Sequence, residues 1–177
     1  MGIAFLKKVL GLDEEAARSS GELGLLYDEL SEQFSKLSRE EIKRFTGFSG
    51  MLGKVSYADM EISEEEQDRM RSLFIEELNL DADKADLLLS LLVNHRVQLF
   101  SVEDYIYSRL CNEVCDFEEK THLLRAMFIV AAADGAISQE EDAAIYAAAK
   151  SLRLSHKDFI AVRRQFASYL DVLKTKN

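Results

Sequence analysis

One local pattern is written twice in this chain, and the duplication constrains the fold more than any other feature. The first copy is Ala58-Asp59-Met60-Glu61-Ile62-Ser63-Glu64-Glu65-Glu66, and the second is Ala133-Asp134-Gly135-Ala136-Ile137-Ser138-Gln139-Glu140-Glu141. In each, an apolar helical run stops at an Asp, a Ser follows four residues on, and a Glu stands three residues beyond the Ser. A Ser whose third neighbour is Glu closes a capping box, the side chain of each satisfying a backbone N–H of the other at a helix start. Both stretches therefore read as the end of one helix, a short turn and the start of the next.

The rest of the chain agrees with helices joined by short turns. Proline is absent and only 8 of the 177 residues are glycine, so the punctuation that separates strands at regular spacing is missing. With 47% apolar residues the chain can bury a core as one domain-sized unit. The fold class expected is all-α, a compact multi-helix bundle with an internal pseudo-twofold repeat. Residues 1–37 read as an N-terminal extension of one or two helices carrying Leu23, Leu25, Leu26, Leu30 and Phe34, and residues 38–177 as the repeated domain.

Ser38-Arg39-Glu40-Glu41 opens a helix whose apolar positions are Phe45, Phe48, Leu52 and Val55. Gly47, Gly50 and Gly53 lie three apart within it; each costs about 1 kcal/mol relative to Ala in a helix interior, so a close neighbouring helix is expected on that stripe. Gly53-Lys54 is not a phosphate loop, because Phe48 and Val55 stand where that pattern needs Gly and Ser or Thr. After the first loop comes a helix through Met70, Leu73, Phe74 and Leu78. Asp81 or Asp83 then caps a helix with Leu87, Leu88, Leu89, Leu91, Leu92 and Val93, apolar nearly all round and so expected to be the most buried. His95 extends one of its apolar faces and reads as a core or boundary histidine.

A helix near residues 102–114 with Tyr105, Ile106, Leu110 and Val114 leads to one from Phe117 through Leu123, Leu124, Met127, Phe128 and Ala131 into the second loop. Ile145, Ala148, Ala149 and Leu152 form the next stripe. Ser155-His156-Lys157-Asp158 caps a last helix with Phe159, Val162, Phe166, Tyr169, Leu170 and Leu173. Each copy is thus three helices, residues 40–100 and 117–173, with the helix near 102–114 between them.

At these residues the sequence resembles the tellurite-resistance TerB family, including the related domain of membrane-anchored DnaJ-like co-chaperones. The resemblance rests on the second loop with Leu152-Arg153-Leu154-Ser155, and on the first with Leu78-Asn79-Leu80-Asp81, and covers roughly residues 40–173. It implies a small all-helical bundle with an internal repeat, a part in stress responses to metal oxyanions and envelope damage, and no enzymatic activity. The family residues it carries over are Asp59, Glu66, Asp134 and Glu141, with Met60 standing where the family usually has Gly.

Charge and cysteine usage narrow the function classes. A net charge of −10 argues against a general nucleic-acid binder, which gains affinity by neutralising phosphates. The basic residues Lys150, Arg153, Lys157, Arg163, Arg164, Lys174 and Lys176 concentrate at the C-terminal end, against Asp158 and Asp171, a distribution that suits a solvated helix face or electrostatic docking to a partner or an anionic surface. Cys111 and Cys115, one helical turn apart, fit a reducing, cytoplasmic setting and read as small buried thiols; a zinc site with His122 lacks a fourth ligand. Ile3, Phe5, Leu6, Val9 and Leu10 share a face beside Lys7 and Lys8, so residues 1–10 suit docking on the domain, on a second copy, or peripherally on a membrane. No apolar run is long enough to span a bilayer.

The candidate partner- or ion-binding residues are Asp59, Glu61, Glu65, Glu66, Asp134, Glu140 and Glu141. Side by side across a pseudo-twofold, the two loops could offer oxygen ligands to a divalent cation, although the spacing is not that of an EF-hand. Acids in a first helical turn also complement the helix dipole by about 0.3–1 kcal/mol each, with no metal needed. No nucleophile stands beside these carboxylates, so no catalytic residue, cofactor or resident metal is expected. The reading favoured is a non-enzymatic interaction module in a cytoplasmic stress-response assembly of the tellurite-resistance type. The alternative is a divalent-metal or metal-oxyanion sensor built on the paired acidic loops.

Overall fold

The structure is a computed structural model, and it describes residues 26, 27, 30–58, 61–94 and 105–170. These residues form α1 (Arg39–Ser56), α2 (Glu64–Glu76), α3 (Ala82–Asn94), α4 (Tyr105–Val114), α5 (Phe117–Ala131), α6 (Gln139–Ser151) and α7 (His156–Arg163), followed by a 3-10 turn (Arg164–Phe166). No strand occurs among them, and the isolated bridge between Ile137 and Leu170 is the extent of any extended pairing. The expected all-α class is what is found.

Each of five helix starts carries the capping box that its sequence spells: Ser38 with Glu41, Ser63 with Glu66, Asp116 with Glu119, Ser138 with Glu141 and Ser155 with Asp158. At α3 the cap is Asp81, whose Oδ1 accepts from the Lys84 N–H at 3.0 Å. The ends of α2 and α6 are also alike. Asn79 (φ 52) and Arg153 (φ 63) adopt the left-handed conformation, and the Leu80 and Leu154 amides donate back to the carbonyls of Phe74 and Ala149 at 3.2 and 3.0 Å. These bonds satisfy carbonyls that a helix end leaves without partners.

The organising element is α1. Its buried residues run from Ile42 and Phe45 to Val55 and Ser56 and include all three glycines; α4 packs most extensively on it, with α5, α6, α3 and α2 around it. The glycine stripe does what its spacing implies. A Cβ on Gly47 would lie 2.7 Å from Cys111 Sγ, and one on Gly50 would lie 2.6 Å from Cγ and Cε1 of the fully buried Tyr107 ring. Thr46, Ser49 and Ser56, also buried here, turn their hydroxyls back to the carbonyls four residues earlier, so no hydroxyl is stranded among the apolar side chains.

Two expectations need correction. The leucine-rich α3 is not the most buried helix: Ala85, Leu88 and Leu92 are buried, whereas Leu87, Leu89, Leu91 and Val93 are partly exposed. A full apolar circumference marks burial only when neighbours cover every side. Here that place is taken by α1, whose glycines and hydroxyls make it look less apolar in sequence while allowing neighbours to approach closely. The last helix also does not continue through residue 173. It stops at Arg163, tightens into the 3-10 turn and bends, so that Phe166 stacks on Phe128 at 5.3 Å and the Tyr169 carbonyl accepts from the Ile137 N–H at 2.7 Å. Leu170 is thereby fully buried beside Ile137. An apolar spacing that suits a straight helix also suits this inward turn.

The described part of the N-terminal segment joins the same core. Leu26, Leu30 and Phe34 are buried in it, and the Phe34 ring meets Phe45 of α1 edge-on at 6.3 Å. The proposed membrane or dimer face at residues 1–10, His95 and the start of the helix near residue 102 lie outside the described residues, as do Asp59 and Met60.

Candidate functional site

The two loops place their carboxylates according to what each side chain has to satisfy. In the first, Ser63 Oγ accepts from the Glu66 N–H at 3.2 Å while Glu66 Oε2 accepts from the Ser63 N–H at 2.8 Å. In the second, Ser138 Oγ accepts from the Glu141 N–H at 3.1 Å and Glu141 Oε2 from the Ser138 N–H at 2.9 Å. These two glutamates are only 7% and 6% exposed, and that burial decides their role: they face inward as helix caps. Glu61, Glu65, Asp134 and Glu140 are exposed.

Asp134 has a local task as well. Its Oδ1 accepts from the Ala136 N–H at 3.0 Å, an Asx turn that steers the chain through Gly135. Gly135 has φ 98, a conformation that strains any residue with a Cβ. From there Ile137 enters the core and binds the chain at Tyr169.

The structure thus commits Glu66 and Glu141 to capping boxes and Asp134 to its turn, and leaves Glu61, Glu65 and Glu140 on the surface. Among the described residues, no group of three His, Cys, Asp or Glu side chains is arranged to hold a metal ion. His122, considered beside the cysteines, is exposed.

A substitution series separates these roles. Ser63→Ala and Ser138→Ala should each cost about 0.5–2 kcal/mol through loss of a cap, read as a lower denaturation midpoint with an unchanged slope. Asp134→Asn keeps an oxygen for the Ala136 N–H and should change stability by less than about 1 kcal/mol. An unchanged midpoint in both serine variants would contradict the capping assignment.

Sequence reasoning missed a groove between α6 and α7. Gln139, Asp142, Ala143 and Tyr146 line it from α6, and His156, Phe159, Ile160 and Arg163 from α7, around a volume of 540 Å³. Tyr146 lies 5.0 Å from Phe159 and meets His156 edge-on at 5.9 Å. Within its lining Arg163 pairs with Asp142, with Nε to Oδ1 at 2.8 Å and the second nitrogen to Oδ2 at 2.7 Å. That bidentate pairing pushes the Arg163 pKa up, so Asp142, the last acid of the second cluster, already has its counter-charge. The signal available in the sequence was Asp142 and Tyr146 one turn apart on α6, opposite His156, Ile160 and Arg163 at helical spacing on α7.

A protein-family model described as tellurite resistance protein TerB matches residues 46–164, from the middle of α1 to the first residue of the 3-10 turn. No curated protein and no solved structure gives a significant match.

Proposed function

We propose that this chain, which belongs to the tellurite-resistance TerB family, is a non-enzymatic interaction module of a cytoplasmic stress-response assembly directed at tellurite or related metal oxyanions. The observation that carries the reading is the employment of Glu66 and Glu141. The two glutamates shared with the family pattern are buried in capping boxes, where they hold helix starts. A buried carboxylate that accepts the backbone N–H of its own helix's cap residue supports architecture over ion capture or acid–base chemistry. What the loops offer outward is acidic: Glu61, Glu64, Glu65 and Glu140 face solvent. Such a rim suits a protein partner with a basic face and speeds encounter with it. The matching cap and left-handed residue in each half, at Ser63 and Asn79 and at Ser138 and Arg153, support the internal pseudo-twofold as well. Among the described residues no helix is long and apolar enough to cross a membrane, so membrane association of the assembly would fall to a partner or to residues 1–10.

The test is made in cells that produce the chain, challenged with potassium tellurite. Deletion should reduce tolerance, and the native protein should migrate in a larger assembly after in-cell cross-linking. Lysine substitution at Glu61, Glu65 and Glu140 together should weaken that assembly while the purified variant remains helical. Unchanged tolerance in the deletion strain, with the chain migrating as a free protein under challenge, would overturn the proposal.

A further inference from the structure

The two cysteines lie on and just beyond α4, the helix that packs most extensively on α1, and have no part in the reading above. Cys111 is on α4, fully buried, its Sγ seated over Gly47 of α1, where a Cβ would come within 2.7 Å of the sulfur. Cys115 is one turn further on, half-buried at the end of the helix, its N–H donating to the Cys111 carbonyl at 2.8 Å. The turn between them is therefore intact, and its i, i+4 spacing sets both side chains along one face, where the two thiols act on one another. The neighbouring Cys115 pushes the Cys111 thiol well up, with burial adding to it, and Cys111 in turn holds Cys115 down against its own partial burial.

A guanidinium completes the arrangement. Arg44 of α1 donates to the carbonyl of Val114, the residue before Cys115, at 2.9 Å, and lies 3.0 Å from Glu119 of α5. It is thus held over the end of α4, and it too draws the Cys115 thiol down, whereas Glu119 opposes it.

A disulfide does not fit an intact turn, because it needs Cβ atoms roughly 3.5–4.5 Å apart and a crossed geometry that helical i, i+4 side chains do not offer. A single larger atom bridging the sulfurs does fit, because each bond to it is longer and its angle keeps the sulfurs separated. Thiolates select soft, polarisable acceptors over oxygen-preferring cations. We propose that Cys111 and Cys115 form a dithiol site for a trivalent, thiophilic metalloid species, trivalent arsenic being the model, with Arg44 placed to donate a hydrogen bond to the departing oxygen.

The exchange is balanced without a redox partner. Two arsenic–oxygen bonds are replaced by two arsenic–sulfur bonds, the two thiol protons leave with the oxygen as water, and arsenic stays trivalent. Cys115, the more acidic and more accessible sulfur, attacks first; Cys111 closes the ring once its proton has passed to the departing oxygen. This site is independent of the proposed docking role, and either can fail without the other.

Phenylarsine oxide tests it on the reduced, full-length native chain. The expected result is one phenylarsenic group per chain by intact mass, retained in excess 2-mercaptoethanol, released by 2,3-dimercaptopropanol, and accompanied by a higher melting temperature, since a ligand of the native state stabilises it. Cys115→Ser, at a half-buried position, and Cys111→Ser should each lose the monothiol-resistant adduct, and Arg44→Gln should slow its formation. No adduct on the parent, an adduct that either serine variant retains against monothiol, or an adduct that lowers the melting temperature would overturn the proposal. The parent measurements decide the matter even if a variant fails to fold.

Discussion

Gly50→Ala lowers the stability of the chain by about 2 kcal/mol, the reverse of what the same change does in an ordinary helix. Replacing a helical glycine by alanine normally gains about 1 kcal/mol, because the glycine backbone has more freedom to lose. At Gly50 the new methyl would enter the Tyr107 ring, 2.6 Å from Cγ. Cγ is the anchored end of a ring with no exposure, so it cannot swing aside without moving α4 from α1. Overpacking of a dense core costs about 1–3 kcal/mol and occasionally more, and a clash with a pinned ring belongs at or beyond the top of that range. The propensity gain offsets only part of it. Urea denaturation should show a lower midpoint with the same slope. A stabilised variant would mean that α1 and α4 do not meet this closely.

Phe128→Ala has the larger effect, about 3–5 kcal/mol. Phe128 is fully buried on α5 and is the contact through which the C-terminal part of the chain is seated, with Phe159 of α7 at 5.9 Å and Phe166 of the 3-10 turn stacked at 5.3 Å. Truncation leaves a cavity lined by those two rings, and α7 and the turn lose their common support. Phe117, at the start of the same helix but 62% exposed, is the internal control, since its truncation should stay within about 0.5 kcal/mol. Equal losses at the two positions would contradict the placement of the core. A loss at position 128 is also expected to loosen the α6–α7 groove, whose floor includes Phe159.

The part of this fold legible in the sequence is its local grammar. Caps are sequence-local: Ser63 with Glu66 and Ser138 with Glu141 find each other across three residues whatever the rest of the chain does, which is why the helix starts can be read directly. The glycine stripe is legible for a similar reason, as a run of unfavourable residues that only a close neighbour explains, although Tyr107 and Cys111 as that neighbour are not. Burial of α3 and the course of the chain beyond Arg163 escape the sequence because both depend on what arrives from elsewhere. Leu87 and Leu91 stay partly exposed for want of cover, and Leu170 turns inward to a partner, Ile137, far back in the sequence. The α6–α7 groove is hidden on the same ground, since it exists only where the two helices pack together and bring Asp142 to Arg163.

The candidate acids divide along the same line. Glu66 and Glu141 can be assigned to caps from spacing alone, and their burial agrees. Glu61, Glu65, Asp134 and Glu140 carry charge without a local geometry that settles their use, apart from the Asx turn that Asp134 makes two residues ahead. Asp142 stands close to them in sequence, and only the fold shows it neutralised by Arg163.

The central claim is that the paired acidic loops are helix starts and a recognition rim, and it is tested most directly by following thermal unfolding of the parent chain in Ca²⁺, Mg²⁺, Mn²⁺ or Zn²⁺ against EDTA, beside Asp134→Asn. A cation that binds the native loops at 100 times its dissociation constant would stabilise the fold by about 2.7 kcal/mol, which a melting curve shows plainly. The account predicts no saturable shift with any of the four ions and nearly coincident curves for parent and variant. A saturable shift in the parent that Asp134→Asn abolishes would contradict it and make the loops an ion sensor.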